Sequence, residues 1–167
     1  MSQLTFSPLL ESCAVDLQRI WLDHETVKFT NWTLLSTPEE VAERVRRMLV
    51  RYATKERRGP YVIQSVDGAF VGLIGIDYAH GEHEVWYILE RSQWRKGFGS
   101  AALSHLLDRI PAASGITKLV ATAVASNDAS WRLLERNGFS RVSSAIGGFV
   151  KEGVSEDLYR YEKVLAK

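Results

Sequence analysis

The chain has 167 residues, 46% of them hydrophobic and 25% charged, which fits a single domain spanning residues 1–167 with its own core and the composition of an ordinary soluble globular protein. A formal net charge of +1 gives no global field to draw nucleic acid or an anionic membrane, no apolar run approaches a membrane span, and the N-terminus lacks the basic and apolar regions of a signal peptide. The one cysteine, Cys13, excludes an intrachain disulfide and fits a reducing, cytoplasmic compartment; it reads as a small buried hydrophobe rather than a nucleophile.

Leu4–Leu9 is short and strand-like, and Ala14–Leu22 carries Leu17, Ile20 and Trp21 at helical spacing. Thr37-Pro38-Glu39-Glu40 reads as a helix start, with an N-cap, Pro at the first position and acids in the first turn. The helix it opens aligns Val41, Val45, Met48, Leu49 and Tyr52 in one stripe. Arg44, Arg47, Arg51, Lys55 and Arg58 are expected to form a solvated face rather than a docking patch. Past Gly59-Pro60 the period changes to two. Tyr61–Val66, Phe70–Asp77 and Glu84–Leu89 read as three strands of an antiparallel meander. A helix follows with Leu103, Leu106, Leu107 and Ile110, then a strand at Lys118–Ser126. Asn127-Asp128 can cap a helix over Ala129–Asn137 that stops at Gly138. Phe139–Ala145 and Leu158–Leu165 are expected to close the fold around a glycine-containing loop at 147–153.

The stretch Gln93-Trp94-Arg95-Lys96-Gly97-Phe98-Gly99-Ser100-Ala101 sets two glycines behind two cations, at the mouth of a helix. A nucleotide P-loop would need four residues between its glycines and a lysine after the second, and here the lysine precedes Gly97. Gly97-x-Gly99-x-x-Ala102 satisfies a dinucleotide fingerprint on its face. Yet a polar stretch separates Leu89 from Gly97, and the region some twenty positions on is the apolar strand Leu119–Val124 with no acidic residue. A coenzyme A pyrophosphate loop fits better: glycines admit a close approach, first-turn N–H groups point at the phosphates, and Arg95 and Lys96 complement the charge. A plain strand-to-helix connection would explain the glycines but not the flanking cations.

"ILERSQWRKGFGSAALSHLL" followed by "VASNDASWRLLERNGFSRV" resembles the acetyl-CoA binding core of the GCN5-related N-acetyltransferases (GNAT), most of all their RimJ/RimL-like branch. The likeness runs from about the first strand to the final "YEKVL". It implies an α+β fold with a mixed, mostly antiparallel sheet flanked by helices. In that fold the fourth and fifth strands, here Glu84–Leu89 and Lys118–Ser126, splay apart around acetyl-CoA. Backbone groups of Ile88, Leu89 and Glu90 would hold the pantetheine arm like an added strand. Arg95, Lys96, Gly97, Phe98, Gly99, Ser100 and Ala101 would wrap the pyrophosphate. Asn127 matches an asparagine placed against the cofactor, and Ser130 a serine common in this branch. The chain departs from the pattern at Trp94, where relatives carry Arg or Gln, and at Arg95, where glycine is frequent. It departs again at Ala101, in place of a common Glu, and at Leu134, where other branches place a tyrosine acid.

The chemistry needs no nucleophilic side chain, because an amine attacks the thioester directly. The site must hold the reactants, stabilise an oxyanion and receive a proton. An α-amine with pKa near 8 is about one-tenth neutral at pH 7, and a lysine near 10.4 about one part in 2,500, so a base matters far more for lysine. Glu84 is the candidate base, acting through water; an ordinary exposed strand carboxylate is the competing reading. Ser130 is the candidate donor to the leaving thiolate, against a serine that only satisfies a helix start. Phe29 and Trp32 lie where the first helices of such enzymes border the acceptor, against ordinary core packing. His80 and His83 have loop-like spacing, so a polar hairpin turn is expected and no metal site. The expected partner is an amine acceptor, preferably a protein N-terminal α-amine. Alternatives are a small amine or amino-acid analogue, or a non-catalytic acyl-CoA-binding module; a homodimer is left open.

Overall fold

A computed structural model describes residues 4–165. Strand β1 (Leu4–Pro8) is followed by helices α1 (Ala14–Trp21), α2 (His24–Val27) and α3 (Pro38–Arg51). α3 starts as the sequence predicts. The Thr37 hydroxyl accepts from the Glu40 N–H at 3.2 Å, and the Glu40 carboxylate accepts from the Thr37 N–H at 3.1 Å. Two orphan donors are satisfied reciprocally. Val41, Val45 and Met48 are buried along its stripe. The arginine face is only partly solvated. Arg47 pairs with Glu43 in the open, but Arg44 lies half-buried with its guanidinium 5.2 Å from the Trp21 ring, and Arg51 reaches Asp77.

The meander β2 (Arg58–Ser65), β3 (Phe70–Ala79) and β4 (Glu82–Leu89) comes next, with His80-Gly81 as the two-residue turn between the last two strands. α4 (Phe98–Asp108), β5 (Lys118–Val124), α5 (Asp128–Arg136), β6 (Ser140–Lys151) and β7 (Val154–Val164) complete the order. The closing strands are longer than the sequence predicts. Gly147 and Gly148 lie inside β6, where a register shift between Ala145 and Phe149 absorbs them, and the turn shrinks to Glu152-Gly153. A bulge takes up the extra residues without ending the ladder.

The seven strands order as β1-β2-β3-β4-β5-β7-β6, and every neighbour pair is antiparallel except β4–β5. One face carries a core of Ile63, Ile74, Ile76, Val85, Leu119 and Ala121 under α4 and α5. The other joins Val62, Leu73 and Ile88 to α1–α3 through Leu17, Ile20, Trp21, Val41 and Val45. Burying each such side chain contributes about 1.5–3 kcal/mol. β5, β6 and β7 contribute no residue to this second cluster, although Val120 and Val124 of β5 are buried. No helix among the described residues is long and apolar enough to cross a membrane.

Candidate active site

The parallel strands β4 and β5 meet in a single pair, Glu84 with Val120, and part above it. The antiparallel β3–β4 ladder fixes which backbone groups face the gap. Glu90 N–H donates to Val71 C=O at 2.9 Å, in register with Leu73–Ile88 and Asp77–Glu84. Hydrogen-bonded and non-bonded pairs alternate, so the even-numbered residues of β4 bond to β3 and Val85, Tyr87 and Leu89 turn theirs outward. Of Ile88, Leu89 and Glu90, Leu89 alone presents its backbone to the gap. Its carbonyl accepts from the Trp94 indole N–H at 3.0 Å.

The glycine-containing stretch after β4 leads into α4. Gly97 is the N-cap at φ +79°, and no side chain caps the helix. Ala101 N–H bonds to Gly97 C=O at 3.1 Å, which leaves the N–H groups of Phe98, Gly99 and Ser100 without an intrahelical acceptor. A Cβ on Gly97 would meet nothing within 4 Å, so the backbone there is open to an approaching group. Gly99 differs: a Cβ would lie 2.5 Å from Leu133 Cδ1. Its missing side chain serves the packing of α4 on α5. Arg95 (φ +62°) and Lys96 are exposed. The Ser100 hydroxyl accepts from Asn137 Nδ2 at 2.9 Å, and Ala101 is half-buried in the same turn.

Two polar groups stand on opposite faces of the gap. On the face of the second cluster, the half-buried Glu84 carboxylate accepts from the Thr122 hydroxyl at 3.2 Å. Burial pushes its pKa up, the Thr122 bond opposes the shift, and the negative charge of Asp77 adds to it. Its neighbours Asp77, Glu82 and Glu162 are each ion-paired: Asp77 with Arg51 and Arg57, and the others with Arg160. Among the described residues Glu84 has a hydroxyl partner and no salt bridge, and Arg160 acts on it through its charge alone. On the other face, Tyr87 crosses from β4 to α5, its hydroxyl 2.9 Å from Ser130 Oγ and 3.3 Å from Ser130 C=O. Burial pushes the Tyr87 phenol up to about 12. Asn127 caps α5, its Oδ1 accepting from Ser130 N–H at 3.4 Å. The Ser130 hydroxyl thus meets a tyrosine rather than the helix backbone.

Trp32 is half-buried, its ring 5.4 Å from Trp21 and 5.2 Å from Trp86, edge-on to both. Trp86 is two residues from Glu84 and so on the same face. Phe29 is half-buried with the Lys28 ammonium 5.0 Å from its ring.

The Acetyltransferase (GNAT) domain family matches residues 3–140. The chain belongs to the GNAT family. An uncharacterized N-acetyltransferase p20 of Bacillus licheniformis is 27% identical over 151 residues, 88% of this chain and 77% of the relative. RimL, a ribosomal L7/L12 alpha-N-protein acetyltransferase solved with coenzyme A, superposes with a TM-score of 0.87 at 18% identity, over 99% of this chain and 96% of that one. A spermidine N-acetyltransferase from Vibrio cholerae, solved with CoA and spermine, gives 0.83 at 17% identity over 98% and 96%. At these identities the two solved structures speak for the GNAT fold. The family uses acetyl-CoA as acyl donor.

Within this GNAT domain, Leu134 is fully buried in the core under α4 and α5 and can donate nothing. Tyr87 was not evident from sequence. Its only trace is an aromatic in the strand "EVWYIL", where core packing is the default expectation.

Proposed function

We propose that the chain is an acetyl-CoA-dependent N-acetyltransferase whose acceptor is a protein N-terminal α-amine. The observation that carries this is the gap itself: a β4 edge turned outward at Tyr87 and Leu89, with Glu84 on one face and the Ser130–Tyr87 pair on the other. Acetyl-CoA supplies the acetyl group as a thioester, which the amine attacks at the carbonyl carbon while the C–S bond breaks and CoA departs as thiolate. The uncapped first turn of α4 at Phe98, Gly99 and Ser100, with Gly97, Arg95, Lys96 and Ala101 around it, would hold the pyrophosphate by backbone N–H groups and charge. The outward backbone of Tyr87 and Leu89 would take the pantetheine arm, and an N–H along the same edge would stabilise the oxyanion.

Glu84 would take the amine's proton through a water. A carboxylate whose pKa burial has raised is a better match to an ammonium than an exposed one. Ser130 would donate a hydrogen bond to the departing sulfur from the opposite face, so attack and departure are separated in space. Asn127 would fix the start of α5 behind it. Phe29 and Trp32 would line the acceptor side beside Trp86. One carboxylate without a counter-ion among Asp77, Glu82, Glu84 and Glu162 suits a single ammonium, and an α-amine asks least of the base. Cys13 is in keeping with a cytoplasmic enzyme.

The test is a screen for acetyl mass shifts across N-terminal peptides, lysine peptides, polyamines and amino acids, with CoA release followed in parallel. Acetylated α-amines are expected. Products from small amines alone would move the acceptor to that class. Thermal stabilisation by CoA without any product would mean an acyl-CoA-binding module.

A further inference from the structure

The segment from Lys28 to Ser36 joins α2 to α3 and has no regular secondary structure, yet it carries Phe29 and Trp32. Its backbone carbonyls need partners, and long cations from two other elements provide them. The Lys151 ammonium, at the end of β6, donates to the carbonyls of Val27 at 2.5 Å, Thr30 at 2.9 Å and Trp32 at 2.8 Å. Arg44 of α3 donates from Nη2 to the Thr33 carbonyl at 3.0 Å. An ammonium has three donors, and all three of Lys151's are taken, so it has none left for a ligand. The adjacent Glu152 turns away to His24, 2.9 Å from its Nε2. The tip of the β6–β7 hairpin is thereby fastened to the wall that Trp32 forms against Trp86, on the face of Glu84.

We propose that Lys151 is a positioning residue for acceptor binding: it holds the Val27–Thr33 segment by its carbonyls and so fixes Phe29 and Trp32 beside the groove. The inference rests on the reading of that face as the acceptor side. Phe29 and Trp32 are separated by two residues and have no ladder to align them; the carbonyl ties on either side supply that alignment. Without the ammonium the carbonyls of Thr30 and Trp32 lose their donor, while Val27 C=O keeps the Thr30 N–H and hydroxyl, and the segment beyond Thr30 relaxes.

The test uses the full chain in a Cys13→Ser reference background, carrying Lys151→Cys, with the introduced thiol left free, aminoethylated with 2-bromoethylamine, or carbamidomethylated with iodoacetamide. Aminoethylation rebuilds a side chain of nearly lysine length with its charge; carbamidomethylation gives a neutral one. Three readouts are followed: hydrogen exchange of residues 28–35, the melting shift with CoA, and steady-state acetylation of the lysine-free peptide Ser-Ala-Ala-Ala amide. The free thiol should speed exchange in 28–35 by about tenfold or more and raise KM for the peptide about tenfold, with kcat within about threefold and the CoA shift unchanged. Aminoethylation should restore exchange and KM together; the neutral adduct should restore neither. Unchanged exchange in 28–35, recovery with the neutral adduct, or faster exchange at an unchanged KM would each overturn the proposal. If the reference protein acetylates neither this peptide nor any amine of the screen, the acetyltransferase reading falls separately, and exchange alone decides whether Lys151 holds the segment.

Discussion

The hydroxyls of Tyr87 and Ser130 lie 2.9 Å apart and tie β4 to α5 across the gap where β4 and β5 diverge. With its pKa pushed up to about 12 by burial, Tyr87 stays a neutral donor through the physiological range. A phenol of that pKa does not fully protonate a thiolate near 8.5, so the pair is suited to hydrogen-bond donation toward sulfur rather than complete proton transfer. Tyr87→Phe keeps the ring and removes the bond. It should cost about 0.5–1.5 kcal/mol of stability and lower kcat, with the loss constant from pH 6 to 9. Ser130→Ala should lower kcat by about tenfold, and the double variant should lose less than the two combined, because they act through one bond. Additive losses in that cycle would separate the two hydroxyls.

Glu84 should link stability and activity in opposite senses. Its raised pKa means that the folded state disfavours the ionised form, so its ionisation destabilises the fold once the pH rises past the unfolded value. Glu84→Gln should therefore leave the melting temperature at pH 7 unchanged or higher. The same substitution should lower kcat/KM most near neutral pH, with the defect shrinking as rising pH deprotonates the acceptor unaided. In the native protein the acid limb of kcat/KM should sit above the ordinary glutamate range. Full-pH profiles of both proteins, with melting curves alongside, check all three expectations; a glutamine variant with the native profile removes Glu84 from the reaction.

The two loop glycines should fail differently. Gly97→Val places a β-branched residue at φ +79°, which costs about 1–2 kcal/mol, and fills the open space above the backbone. Gly99→Val meets the movable Cδ1 end of Leu133 in ordinary helical backbone, so it should lower the melting temperature only as far as Leu133 fails to swing aside. Thermal shifts with CoA distinguish them: the Gly97 variant should fold and lose most of the CoA response. A full CoA response in that folded variant would contradict close phosphate approach at Gly97.

Most of this was legible in the chain because local rules and tertiary packing agree. Thr37 and Glu40 announce the start of α3, Asn127 the start of α5, and the period-two runs the meander. The glycines at 147–148 misled because a loop and a bulge use the same residue, and only pairing with β7 tells them apart. The contacts of Tyr87 and Lys151 run to partners 43 and at least 119 residues away in sequence, which no periodicity encodes. The phase of β4, which turns Leu89 outward and Ile88 and Glu90 inward, is set by its register with β3. Sequence alternation gives faces but not that phase.

Leu134 tests whether the tyrosine of other branches could simply be put back. It is fully buried among Ala102, Leu103, Phe139 and Tyr161, and its position one turn after Ser130 points it into the core. Leu134→Ala should cost about 2–5 kcal/mol through lost burial and the cavity left behind, with the CoA response intact in the folded fraction. Leu134→Tyr adds volume and a hydroxyl to a packed apolar site, so it should cost about 1–3 kcal/mol by overpacking alone. It should also fail to restore kcat to Ser130→Ala, since position 134 faces the buried core rather than the gap. Denaturant melts of the single variants and turnover of the Ser130→Ala/Leu134→Tyr pair give the answer. Recovery of turnover would show that a phenol at 134 reaches the sulfur.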